Sequence, residues 1–146
     1  MDFIADSSSA LHEPSIHFWT PCHATPYYSF LHRNVSMWFP DCSPINRERP
    51  EGCESHQLER DPVNFLSRKY RLPTSANVDS TGVEPLPDFV VLFSTTHDRL
   101  SRLLRSVGYV EAATFFHSHV KGDAEDTEAS SAMLVFRRKR SVDVME

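Results

Sequence analysis

The sequence predicts an α/β fold: a small sandwich with a mixed, partly parallel sheet of about four to five strands and two to three helices. Three observations carry that prediction. Phe89–Phe93 (FVVLF) is an unbroken apolar, β-branched-rich run of the kind found in strands covered on both faces. Leu100, Leu103, Leu104 and Val107 then recur at i, i+3, i+4 and i+7, a helical stripe closed by Gly108. Residues 112–120 are again apolar, so residues 89–120 read as a β-α-β unit whose strands run parallel.

The remaining elements follow in chain order. Residues 1–14 are polar and end in Glu13-Pro14, a lead-in segment. Residues 15–19 (SIHFW) form a short apolar run that Pro21 stops, and residues 35–39 (VSMWF) form a second that ends at Pro40; both read as strands. Residues 40–57 are rich in Pro, Arg, Glu and Ser without periodicity and read as loop. Asp61-Pro62 is a helix start, an acidic N-cap with proline at the first helical position. Val63, Leu66 and Tyr70 fall on one face of that helix, joined by Phe65, until Pro73 ends it. Residues 73–88 combine prolines, small polar residues and a glycine, a flexible surface loop. Thr95 is placed to cap the next helix, with Asp98 near its exposed amides. After the acidic stretch KGDAEDTEA, residues 132–136 form a last strand, expected antiparallel to its predecessor. One α/β domain therefore covers residues 15–137, with a tail at 138–146.

Composition bounds the function. The chain has 146 residues, 40% of them hydrophobic, enough for one core. A formal net charge of -5 argues against nucleic acid as a partner, because neutralising phosphates needs a clustered basic surface. The one basic run, Arg137, Arg138, Lys139 and Arg140, reads as a solvated tail. No stretch approaches the roughly 20 apolar residues of a transmembrane helix, and the first residues lack the basic and apolar regions of a secretory leader.

Candidate chemistry gathers in residues 20–32, TPCHATPYYSFLH. Cys22, His23, His32, Cys42, Cys53 and His56 are types that bind zinc, but only Cys53 and His56 have tight ligand spacing. His117 and His119 share a strand face, a geometry that metals use and that packing histidines use more often. A Cys22 nucleophile needs a base, and adjacent His23 points to the opposite side of an extended segment. Phosphate-cradling glycine loops do not occur. The plainer reading is a strand-to-loop corner in which Tyr27 and Tyr28 cover the sheet edge. No metal site, cofactor or catalytic residue is assigned. Three cysteines leave at least one thiol free, and Asn34-Val35-Ser36 is a formal N-glycosylation sequon.

The segment IHFWTPCHATPYYSFLHRNVSMWFPDCSP, residues 16–44, resembles a diagnostic stretch near the C-terminus of the GPI mannosyltransferases, above all of the plant members that add the third mannose. These are multi-spanning endoplasmic-reticulum enzymes that use dolichyl-phosphate mannose as donor. The PCHATPYYS core supplies Pro21, Cys22, His23, Thr25 and Pro26, and the DCSP string supplies Asp41 and Cys42. ERDPVNFL and the strand-helix-strand of FVVLF, RLLR and FFHSHV are also similar, so the resemblance runs from residue 15 to about 137. Trp19-Thr20 stands where the family tends to have Leu-Met, the family usually has Arg near Trp38-Phe39, and its loop at 73–88 is shorter.

The resemblance implies the lumenal C-terminal portion of an inverting mannosyltransferase whose transmembrane catalytic core lies outside this chain. Its partners would be the GPI-anchor glycolipid precursor and the lipid-linked mannose. No carboxylate here carries over as the general base such a transfer needs. His23, Tyr27, Tyr28 and His32 would lie close to substrate, Asn34 would meet the glycosylation machinery, and a disulfide among the three cysteines would be allowed. The alternative is an independent binding or scaffolding domain without catalysis.

Overall fold

A computed structural model describes residues 13–22, 24, 33–72, 84–116 and 132–139. In β1 (Ser15–Phe18) the alternation of the sequence sends Ile16 and Phe18 to one face of the sheet, and His17, with Trp19 just beyond, to the other. This strand lies between two parallel neighbours. β2 (Ser36–Trp38) pairs with it through Ile16↔Met37 and His17↔Trp38, and β3 (Phe89–Phe93) through Ile16↔Phe89 and Phe18↔Val91. β5 (Ala132–Arg138) runs antiparallel to β3, and β4 (Tyr109–Phe116) antiparallel to β5, giving the order β2-β1-β3-β5-β4.

The expected directions hold: β3 and β4 both oppose β5 and are therefore parallel to each other. They are not neighbours, because β5 is inserted between them. β4 also starts earlier than expected, at Tyr109, and residues 117–120 lie outside the described residues. β5 extends through Arg137 and Arg138, so the basic run begins inside the sheet, where the Arg138 amide donates to Asp88 O at 2.9 Å.

Four helices occur among the described residues: α1 (Pro44–Arg47), α2 (Glu54–Arg60), α3 (Pro62–Tyr70) and α4 (Ser94–Ser106). The first two correct the loop expected at 40–57. α1 buries no residue and α2 buries only Ser55 and Leu58, so neither leaves an apolar stripe to read. α3 starts as expected, with the Asp61 carboxylate accepting from the Asn64 amide at 3.1 Å and Pro62 in the first turn. Its buried arc runs through Phe65, Pro62, Leu66 and Tyr70; Val63 falls on the border of that arc and is 38% exposed. Thr95 does not cap α4. Phe93, paired with Met133 in the sheet, is itself the N-cap, so strand passes into helix without a loop and no side chain caps it. At the other end Gly108 takes φ +82° as expected of a C′ residue, and its amide donates to Arg105 O.

α2, α3 and α4 cover one face of the sheet, with Trp19, Leu66, Tyr70, Leu92, Leu104 and Phe136 among the residues between. Ile16, Phe18, Phe89, Val91 and Val135 form a second buried cluster on the opposite face. Arg99 braces the helical layer: Nη1 and Nη2 donate to Glu59 O and Arg60 O, each at 2.7 Å, so a cation on α4 meets the last carbonyls of α2. No helix among the described residues is long and apolar enough to cross a membrane.

The arc of α3 gives a direct test. Leu66 is fully buried, and Leu66→Ala should lower unfolding free energy by about 2–5 kcal/mol. Val63→Ala should change it by no more than about 0.5 kcal/mol. Urea midpoints at unchanged slope measure both, and equal losses would mean that α3 is rotated from the position described.

Candidate functional site

Parallel pairing sets up the first cluster. Because β1 and β2 run the same way, the chain leaves both at one end of the sheet. Cys22 lies four residues past Phe18 and Cys42 four residues past Trp38. The two form a disulfide with Cα atoms 6.1 Å apart, across a sequence separation of 20. This assigns the pair that the resemblance left open, with Cys53 as the free, buried thiol. Cys22 and Cys42 thus present no thiolate as nucleophile or metal ligand in this form. Cys53 is buried while His56 is exposed, so the one tightly spaced Cys/His pair does not share an environment. Among the described residues no three His, Cys, Asp or Glu side chains gather as metal ligands would.

Asp41, beside the disulfide, organises the start of α1. Its carboxylate accepts from the Ser43 amide at 3.2 Å, the Ser43 hydroxyl at 3.0 Å and Asn46 Nδ2 at 2.6 Å. The Asn46 bond, then that of the Ser43 amide, holds Asp41 below the usual carboxylate range. The Asp41 amide donates to Glu54 Oε2 at 2.8 Å, and Asp41 O accepts from the Ser55 amide at 3.1 Å. The Ser55 hydroxyl in turn accepts from the Cys22 amide at 3.3 Å. Asp41 and Ser55 therefore tie both strand exits to the start of α2. Of the family-motif residues, Cys22, Asp41 and Cys42 are brought together here in a cross-linked corner, with Pro21 next to Cys22 in sequence.

The second cluster was not foreseen. His17 on β1 faces Tyr70 at the end of α3, with Nδ1 and the phenol oxygen 2.5 Å apart. Trp19 Nε1 donates to the same oxygen at 3.2 Å. The indole can only donate, so the Tyr70 oxygen accepts from Trp19 while it also pairs with His17 Nδ1. His17 Nε2 lies 4.0 Å from Glu84 Oε1, and Glu84 is paired through Oε2 with Lys69 Nζ at 2.6 Å. The ammonium also sits 3.8 Å above the Trp38 ring, itself the cross-strand partner of His17. Burial, only partly offset by Glu84, depresses the His17 pKa to about 4, so the imidazole is neutral near pH 7. Burial likewise raises the Tyr70 and Tyr109 phenols, and the Tyr109 hydroxyl donates to Pro87 O at 2.6 Å.

Both clusters are held by contacts within the fold. His17 Nδ1 is engaged with the Tyr70 hydroxyl, and the Asp41 carboxylate with Ser43 and Asn46. His23, Thr25, Pro26, Tyr27, Tyr28 and His32 lie outside the described residues, as do His117 and His119. Asn34 is exposed immediately before β2. The sequence did carry a signal for the second cluster: His17 and Trp19 at i and i+2 of an apolar strand put two polar-tipped rings on one face. It carried none for their partner 53 residues away.

Comparison with known proteins defines the class: the chain is a homologue of the GPI mannosyltransferases. Mannosyltransferase APTG1 of Arabidopsis thaliana is 36% identical over 135 residues, 92% of this chain and 22% of the relative. GPI alpha-1,2-mannosyltransferase 3 of Homo sapiens is 30% identical over 131 residues, 86% of this chain and 20% of the relative. GPI mannosyltransferase 3 of Drosophila melanogaster is 35% identical over 97 residues, 65% of this chain and 16% of the relative. The chain thus spans about a fifth of the length of the curated relatives it matches. No family model matches it. No solved structure matches it either.

His17 titrates near 6.5 when unfolded and near 4 when folded, so between those values the unfolded chain binds the extra proton. Stability is therefore full above pH 6.5 and should fall by up to about 3 kcal/mol as pH drops through that window. Denaturant midpoints against pH measure it, and His17→Asn should flatten the part of the slope due to this residue. Reducing Cys22–Cys42 frees a loop of 20 residues and should cost about 3 kcal/mol, read as a lower melting temperature in dithiothreitol.

Proposed function

We propose that this chain is the lumenal portion of a GPI mannosyltransferase of the endoplasmic reticulum. The enzyme transfers mannose from dolichyl-phosphate mannose to the GPI-anchor precursor, and the residues that make and break bonds belong to a membrane-embedded part outside these 146 residues. The observation that carries this reading is the homology to Mannosyltransferase APTG1 over 92% of the chain but only 22% of the relative. The Cys22–Cys42 disulfide supports the lumenal side, since such bonds persist in oxidising compartments. The engagement of His17 and Asp41 within the fold fits a supporting role, with the general base supplied elsewhere.

The test uses human cells lacking GPI alpha-1,2-mannosyltransferase 3. One line receives this chain alone; another receives the human enzyme with this chain in place of its matching 131-residue segment. The chimera should restore surface display of GPI-anchored proteins and the chain alone should not. Restoration by the chain alone would overturn the assignment of the chemistry to another part. A chimera made at normal levels but inactive would overturn the proposed role in favour of an independent binding or scaffolding domain. Within the same reading, His23, Tyr27, Tyr28 and His32 adjoin the substrate. Their alanine variants should lower display at unchanged chimera level, and full display in all four would remove that assignment.

A further inference from the structure

We propose that Asn34 accepts an N-linked glycan, an inference that rests on the lumenal reading above. The sequon Asn34-Val35-Ser36 has valine, not proline, at its middle position. The three residues differ in exposure as an acceptor requires: Asn34 and Ser36 are exposed, while Val35 is 7% exposed and packs into the cluster of Ile16 and Phe18. Val35 thereby anchors the segment and leaves the two residues that define the acceptor in solvent. Among the described residues β2, which begins at Ser36, is the outermost strand on its side of the sheet. No described strand lies beyond it to collide with a bulky group. The Cys22–Cys42 bond brackets the sequon, so the same segment carries a modification of the oxidising compartment.

In the transfer, Asn34 Nδ2 forms a bond to the anomeric carbon of a lipid-pyrophosphate-linked oligosaccharide. The anomeric C–O bond breaks, the lipid pyrophosphate departs with the electron pair, and the amide gives up one proton. No redox change is involved.

The experiment uses the full chain carried in the human enzyme, as above, with two readouts on each sample. Endoglycosidase treatment reports the glycan, and maleimide labelling without reductant reports whether Cys22 and Cys42 are joined. We expect a joined pair and a mobility shift that endoglycosidase abolishes. Asn34→Gln and Ser36→Ala should each lack the contribution of one glycan, while Ser36→Thr should keep it because threonine preserves the sequon. A joined pair with no shift attributable to Asn34 overturns the acceptor assignment and leaves the lumenal reading standing. Unjoined, labelled cysteines with no shift overturn the lumenal reading, and the acceptor falls with it.

Discussion

The parallel register of β1 with both of its neighbours is the constraint on which the rest of the molecule depends. Ile16 is level with Met37 on one side and Phe89 on the other, so three strands end at the same end of the sheet. That end is where Cys22 meets Cys42 and where Phe93 passes straight into α4. Had β2 run antiparallel, Cys42 would leave the sheet at the opposite end from Cys22, beyond the Cα reach of a disulfide. The register also places His17 beside Trp38, and so brings the imidazole, the indole and the Lys69 ammonium into one neighbourhood.

The sheet and its helical layer are joined by polar as well as apolar contacts. Tyr70 is buried among leucines, yet its hydroxyl answers two donors or acceptors on β1 and the residue after it. A network of this kind fixes which rotation of α3 is native, because any other leaves a buried indole N–H or imidazole nitrogen without a partner. Glu84 and Lys69 close the network toward solvent. The Asp41 cluster performs a similar service at the strand exits, where the motif DCSP proves to be a turn, a disulfide half and a helix start in succession.

Much of this was legible in the sequence, for physical reasons that can be named. FVVLF and the leucine stripe of α4 are long enough for their periods to be unambiguous, and Asp61-Pro62 announces a helix through backbone chemistry alone. α1 and α2 were hidden because helices of four and seven residues bury too little to leave a pattern. The insertion of β5 between β3 and β4 was hidden because local sequence does not encode which strand edge a distant strand chooses. The same limit hid the partnership of His17 with Tyr70 and the choice among three possible cysteine pairs. Recognition of the PCHATPYYS string did reach the correct relatives, although the described part of that string is occupied with architecture.

The disulfide also bears on the chain entropy that the first strand pair must overcome. Parallel pairing of β1 with β2 must close a connection of some twenty residues before any ladder bond rewards it, and such non-local steps are slow. Once Cys22 and Cys42 are joined, the strand exits are already adjacent, and in effective chain distance the pairing becomes a local one. β3 lies more than fifty residues after Trp38 and pairs with the edge of β1 that β2 leaves open. The cross-link thus lowers the loop-closure cost of the β1–β2 pair.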